Sequence, residues 1–288
     1  MNRQQSLSLF PSTANPPPPA STTELRLVTF NAQHAAPDRA RRQAAWLGQQ
    51  PDADLVVLTE VGHGPGGHAL LDAVAQHGYP HIHAPSPHLP DYRTVIASRS
   101  APLAPVPTGI DVLGHRAPTV DVQIGELRLR LVGLYVPSRG AKERRNENKR
   151  AFQQAVTHAL PGLLAAFDGP VVVTGDLNVV EPGHVPHYPV FGRWEYDFYR
   201  SFLNAGLTDA FRALHSDTPG HSWYGRSGNG YRFDYTFLTA DRLDLTRCEY
   251  LHAPRHHNLS DHAALHVIAR LCPGPVPSAA RNSRAADG

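Results

Sequence analysis

Val171-Val-Val-Thr-Gly-Asp-Leu-Asn178 begins as a β-branched run and ends on polar residues. Val171–Thr174 reads as a short buried strand, and Asp176 and Asn178, two positions apart, share one side of an extended segment. The same pattern recurs outward along the chain. Leu27-Val-Thr-Phe30 ends in Asn31, Leu55-Val-Val-Leu-Thr59 ends in Glu60, and Leu131-Val-Gly-Leu134 ends in Tyr135. The last apolar run is entered through Ser260-Asp261-His262. A rigid sheet holds loop residues in place at its strand ends, so ligand sites of α/β proteins collect there. Five such ends carrying Asn, Glu, Tyr, Asp/Asn and Asp/His suit one site.

Around these ends, strands are expected at Leu25–Phe30, Asp54–Thr59, Thr94–Ser98, Thr119–Ile124, Leu127–Tyr135, Val171–Thr174, Arg232–Leu238 and His262–Arg270. Helical periodicity covers Arg39–Gln50, Gly67–His77, Lys142–Leu164 and Arg193–Ala205, with Pro161 obscuring the end of the third. Helical connections alternate with short ones such as Gly125-Glu126, which makes a layered α/β domain with a mixed sheet.

The 288 residues are 41% hydrophobic and 18% charged, enough to bury one large core and incompatible with a wholly disordered chain. A net charge of +2, with 18 histidines uncounted, neither identifies nor excludes a nucleic-acid binder. Two cysteines, Cys248 and Cys272, build neither a disulfide framework nor a zinc ribbon, which points to an intracellular protein. The apolar runs are too short to span a bilayer, and Leu7–Phe10 makes a poor signal peptide, so a cytoplasmic protein is expected. Residues 1–23 and 272–288, rich in Pro, Ser and Ala, read as disordered tails around one domain at 24–271.

Glu60, Asp261 and Asn31 offer hard oxygen ligands without thiols, which favours Mg²⁺ or Mn²⁺ over zinc. Asp176 with Asn178 could take a proton from water and orient it, and His262 needs a partner to fix its tautomer, for which Asp234 is a candidate. The implied reaction is metal-assisted displacement at phosphorus. Singly, each residue has a bland reading: Asp-x-Asn after a strand is more often a turn, and an isolated His more often a packed or surface one. Their coincidence at strand ends carries the inference.

At these residues the sequence resembles the endonuclease/exonuclease/phosphatase superfamily, and within it exonuclease III and its apurinic/apyrimidinic endonuclease relatives. The resemblance rests on Leu27-Val-Thr-Phe-Asn31, Leu58-Thr-Glu60, Leu134-Tyr-Val-Pro137, Gly175-Asp-Leu-Asn178, Arg232-Phe-Asp234 and Ser260-Asp-His262, in the family's order. It implies a four-layer α/β sandwich, two mixed sheets face to face with helices outside and a site at one rim. It also implies that Glu60 binds the divalent metal with Asn31 and Asp261 nearby, and that Asp176 activates the attacking water with Asn178 orienting it. Tyr135 would sit at the phosphate, and His262, paired to Asp234, would stabilise the charge growing on the phosphoryl oxygens.

For substrate, the resemblance implies an aromatic pocket from Trp223, Tyr231 and Phe233, although Tyr231 stands where abasic-site enzymes commonly carry Trp. The bland reading is that these rings pack the sheet edge. Arg139, Lys142, Arg144, Arg145, Lys149 and Arg150 form a basic run that could contact a phosphate backbone, or be a solvated helix face. His81, His83 and His88 could bind a transition metal but have only Asp91 nearby; His256 and His257 precede the Ser260 motif. The leading expectation is a monomeric Mg²⁺- or Mn²⁺-dependent nuclease acting on DNA, with no membrane partner. A phosphatase or phosphodiesterase for a small phosphorylated molecule is the alternative, and a non-catalytic binding module a third.

Overall fold

The computed structural model describes residues 24–50, 53–86, 91–139 and 143–272, with only the backbone at 143–145. The expected tails fall outside these residues, apart from Cys272. In chain order the elements are β1 (Glu24–Asn31), α1 (Pro37–Gly48), β2 (Leu55–Val61), α2 (Pro65–Gln76), β3 (His81–His83), β4 (Arg93–Ser98) and β5 (Leu103–Val106). They continue with β6 (Thr119–Ile124), β7 (Leu127–Tyr135), α3 (Glu143–Ala165), β8 (Val171–Asp176), α4 (Arg193–Asn204), β9 (Thr208–Asp209) and α5 (Ala210–Leu214). The chain closes through β10 (Trp223–Tyr224), β11 (Gly230–Tyr231), β12 (Asp234–Leu238), β13 (Leu243–Leu251), α6 (Ala253–His256) and β14 (Ala264–Leu271).

Two six-stranded mixed sheets form, ordered β13-β14-β1-β2-β4-β3 and β5-β6-β7-β8-β12-β9, with β10-β11 a small separate ribbon. In each six-stranded sheet one pair is parallel, β1 with β2 and β7 with β8. The central strands are buried on both faces, which is why they read as continuous apolar runs instead of alternating ones. Between the sheets pack Leu25, Leu27, Val57, Ile96, Leu129, Leu131 and Val172. The outer face of the first sheet buries Val28, Phe30, Val56 and Leu58 against Ala40, Ala44 and Leu47 of α1 and Leu70 and Val74 of α2. The second sheet does the same with Phe152, Val156 and Leu160 of α3 and Phe198 and Phe202 of α4. The result is the expected four-layer sandwich.

α3 agrees with the expected helix, and eight elements were not expected, β3, β5, β9, β10, β11, β13, α5 and α6. α3 runs through Pro161 to Ala165, because its inward stripe Phe152, Val156, Leu160 and Leu163 is buried on the sheet. Burying such side chains, at roughly 1.5–3 kcal/mol each, offsets the roughly 3 kcal/mol cost of a mid-helix proline. The nine-residue β13 was not expected at all: a register shift between Leu245 and Arg247 moves its buried positions from Leu243 to Cys248, so no single alternation runs through it. Among the described residues, no helix is long and apolar enough to cross a membrane.

Candidate active site

Register brings the polar strand ends together. Asp176 at the end of β8 pairs with Tyr135 of β7 on one side and with Asp234 of β12 on the other, which sets three site residues in one row across the second sheet. On the first sheet, Asn31 of β1 lies beside Thr59 of β2, one residue before Glu60. Three contacts stitch the sheets at this rim: Thr29 Oγ1 lies 2.5 Å from Thr174 Oγ1, Asn31 Nδ2 donates to Asp176 Oδ2 at 2.9 Å, and the Tyr135 hydroxyl donates to Glu60 Oε1. His262 arrives from the segment before β14 and forms a bridge with Trp223 of the ribbon.

The backbone is unusual where the chemistry concentrates. Glu60 has φ +53° and Asn178 φ +50°, conformations that non-glycine residues seldom adopt and that cluster at functional sites. Glu60 falls where the β2–β4 register shifts, between Leu58 and Val61. Gly175 is required: its φ is +148°, and a Cβ there would lie 1.9 Å from the Leu134 carbonyl oxygen.

Asp176 is buried and fully ligated. Its Oδ1 accepts the Asn178 backbone N–H at 2.9 Å, and its Oδ2 accepts Asn31 Nδ2 and, at 3.2 Å, Asn178 Nδ2. Burial, then the carboxylates of Asp234 and Glu60, push its affinity for a proton above the usual carboxylate range, against the pull of His262 and the Asn178 N–H. His262 Nδ1 lies 2.7 Å from Asp234 Oδ2, the pairing that the sequence left open. Burial works against a charged imidazole, but the Asp234 carboxylate outweighs it and raises the His262 pKa. With Nδ1 committed to Asp234, Nε2 is the ring nitrogen left for a ligand. Asp176, Asp234 and His262 each offer an atom within 4.8 Å of the others.

Tyr135, expected at the phosphate, lies against Glu60. Its hydroxyl donates to Glu60 Oε1 at 2.7 Å, while the Arg116 guanidinium sits 4.5 Å above its ring. Arg116 is itself held by Asp91, which also meets His115 Nε2 at 2.7 Å. Asp91, whose carboxyl these two partners hold well below the usual range despite burial, thus buttresses Tyr135 instead of joining a histidine metal site. His81 and His83 lie half-buried on β3, His88 lies outside the described residues, and His256 and His257 are exposed.

The donor set fits a hard divalent cation. Among the described residues, Glu60 Oε2 has only His34 Nδ1 near it, at 3.5 Å, and Asp234 Oδ1 is buried without a hydrogen-bond partner. Neither cysteine belongs to the site, and oxygen donors suit Mg²⁺ or Mn²⁺. Asn31 has further partners: its Oδ1 accepts the Gln33 N–H at 2.8 Å and its amide nitrogen braces Asp176. Asp261 is exposed, with Oδ2 accepting Trp223 Nε1–H at 2.9 Å.

Trp223, Tyr231 and Phe233 do gather beside this centre, all half-buried, with Trp223 6.5 Å from His262 between ring centroids. Part of their role is packing, as the bland reading held: Tyr231 stacks on Tyr188 at 4.1 Å, and Phe233 meets Phe191 edge-on at 6.0 Å.

Within the basic run, Lys149 differs from the expectation of a phosphate contact. Lys149 is fully buried; Nζ donates to Glu195 Oε1 at 2.5 Å and to the Asn178 carbonyl at 2.7 Å. Arg139 Nη1 donates to the other oxygen of Glu195 at 2.6 Å. Lys149 therefore holds the backbone of the Asp176–Asn178 loop and cannot contact DNA. Its signal was available, since Lys149 stands three residues before Phe152 and seven before Val156 on the inward stripe of α3. The side chains of Arg144 and Arg145 lie outside the described residues. Arg232, missed as a support, is fully buried between Glu181 and Asp209 and fixes the entry to β12.

The profile of the Endonuclease/Exonuclease/phosphatase family matches residues 28–262. An AP endonuclease from Archaeoglobus fulgidus superposes with a TM-score of 0.66 at 22% identity, covering 86% of this chain and 99% of that one. The 3' phosphatase NExo from Neisseria, bound to a product DNA hairpin, gives 0.67 at 18% identity over 84% and 98% of the two chains. The catalytic domain of Xenopus laevis APE2 gives 0.67 at 18% identity over 88% and 94%. These likenesses show the shared fold. No curated protein matches the sequence.

Proposed function

This chain belongs to the Endonuclease/Exonuclease/phosphatase family, and from that premise we propose that it is a metal-dependent nuclease that hydrolyses DNA phosphoesters by attack of water. The observation that carries the proposal is the juxtaposition of Asp176 with the Asp234–His262 pair, their ligand atoms within 4.8 Å. Asp176, held in one orientation by three N–H donors, accepts the proton of the attacking water. Asn178 keeps that carboxylate and its own loop in register, through Nδ2 on the Val136 carbonyl at 3.0 Å. His262, kept protonated by Asp234, donates from Nε2 to a phosphoryl oxygen as charge accumulates there. Glu60, Asp261 and Asn31 are the proposed holders of a divalent cation, Mg²⁺ or Mn²⁺, which when bound neutralises and polarises the phosphoryl oxygens.

The substrate reading rests on the aromatic wall of Trp223, Tyr231 and Phe233 next to His262, a surface suited to a sugar or an unstacked base. That two structural neighbours are an AP endonuclease and a 3' phosphatase bound to DNA supports the same substrate class. A phosphatase for a small phosphorylated molecule is favoured by one observation, the internal use of Arg139 and Lys149. Trp223→Ala separates the two. A DNA enzyme should lose about tenfold or more in kcat/KM on abasic or 3'-phosphoryl duplexes, given about 1–3 kcal/mol for a stacked base. Full activity of Trp223→Ala on DNA would contradict a role for the wall.

A further inference from the structure

Two cations of α1 and α6 lie together on one flank of the site. Arg39 of α1 and Arg255 of α6 line one notch of about 300 Å³, together with Gln33, Tyr224, Ser260 and Asp261. Among the described residues neither arginine forms an ion pair. Arg39 gives Nη1 to Gln33 Oε1 and Nη2 to the Gln33 carbonyl, each at 2.6 Å. Arg255 lies flat over Tyr224, its guanidinium 4.0 Å from the ring centroid, with Nη1 donating to His252 Nδ1 at 3.3 Å. Arg42, from the same helix as Arg39, donates only to the His257 carbonyl. By contrast Arg150 on α3 is turned onto Trp194, 4.8 Å from that ring.

Two guanidinium groups face one carboxylate in the notch, that of Asp261, and Asp261 is already bound by the indole N–H of Trp223. The excess charge is positive, and guanidinium groups are suited to forked hydrogen bonds with phosphate oxygens. Stacking on Tyr224 and the two hydrogen bonds to Gln33 hold the two groups ready, so little side-chain freedom is lost on binding. The notch also adjoins the reaction centre: Asp261 precedes His262, and Ser260 Oγ donates to the Asn31 carbonyl at 2.7 Å. A chain of contacts runs from Arg39 through Gln33 to Asn31.

We infer that this notch holds a second phosphate of the DNA strand, next to the one hydrolysed, with Arg39 and Arg255 as its ligands. The inference rests on the nuclease reading and adds where the strand runs: over α1 and α6. A phosphate contact of this kind adds binding that depends on salt and not on sequence.

The test uses the full chain and Mg²⁺, with kcat and KM on an abasic duplex between about 50 and about 200 mM salt. Arg255→Gln should raise KM severalfold with kcat nearly unchanged, and make the slope of log(kcat/KM) against log salt shallower by about 0.9. Arg39→Gln should flatten the slope equally, and Arg39→Lys, which keeps the charge but not the fork, should restore it. Arg150→Gln should behave as wild type. Wild-type KM and slope in both Gln variants would overturn the inference while leaving the nuclease reading intact. So would a fall in kcat with KM and slope unchanged, which marks the arginines as structural. A wild-type protein that cuts no duplex overturns both.

Discussion

Asp176 is the residue on which the account turns. Three N–H donors favour its charged form, while burial and two neighbouring carboxylates oppose it. A group balanced in this way is suited to accept a proton in the reaction and return it. Asp176→Asn should therefore lower turnover by about 10²–10⁴-fold with little change in melting temperature, as expected for loss of a general base. A smaller, positioning effect is expected of Lys149. Lys149→Met removes the donor to the Asn178 carbonyl and one cation from Glu195, and should cost about 10–100-fold in kcat, the range for groups that orient catalytic residues. Comparing kcat with KM checks this, since a DNA-contacting lysine would change KM. The proposed catalytic residues were legible in the sequence because they stand at or next to the ends of apolar runs. Their supports Glu195, Arg116 and Arg232 were not. A buried charge is recognised by its partner, and these partners lie 23 or more positions away.

At the scale of elements, β8 holds a position that only glycine fits. Gly175→Ala would place a methyl against the Leu134 carbonyl and impose φ +148° on an L side chain. The backbone conformation alone costs about 1–3 kcal/mol, so thermal unfolding should show a drop of many degrees or no soluble protein. The eight expected strands were readable as apolar, β-branched runs, and the four long helices by their helical period. β13 was not, because its bulge changes which parity is buried, and the two-residue strands β9, β10 and β11 are too short to have a period. α3 was readable except at Pro161, where packing overrides the local preference.

For the molecule as a whole, the sheets are joined at the site rim by polar contacts and behind it by an apolar core, so stability and catalysis share a boundary. The salt-bridged group of Arg232, Arg212, Glu181 and Asp209 predicts the acid limit of that stability. Burial disfavours a charged Asp209, but Arg232 outweighs it and holds the folded carboxyl below its ordinary value. A depressed folded pKa contributes stability that is complete above the unfolded value, about 3.9, and is lost as pH falls through the folded value. Urea midpoints should thus decline below about pH 4, and Asp209→Asn should lower the midpoint at neutral pH and flatten that decline, since breaking a buried pair costs about 3–5 kcal/mol. The central claim, hydrolysis of DNA phosphoesters by Asp176 and His262 with a divalent cation, is tested most directly by one assay. Wild type and Asp176→Asn are compared with Mg²⁺, Mn²⁺ or a chelator on abasic duplex, 3'-phosphoryl duplex and small phosphomonoesters. The account predicts cleavage of DNA that needs the metal and is lost in the variant. DNA cleavage that persists in Asp176→Asn or under the chelator, or phosphate release from the small esters alone, would contradict it.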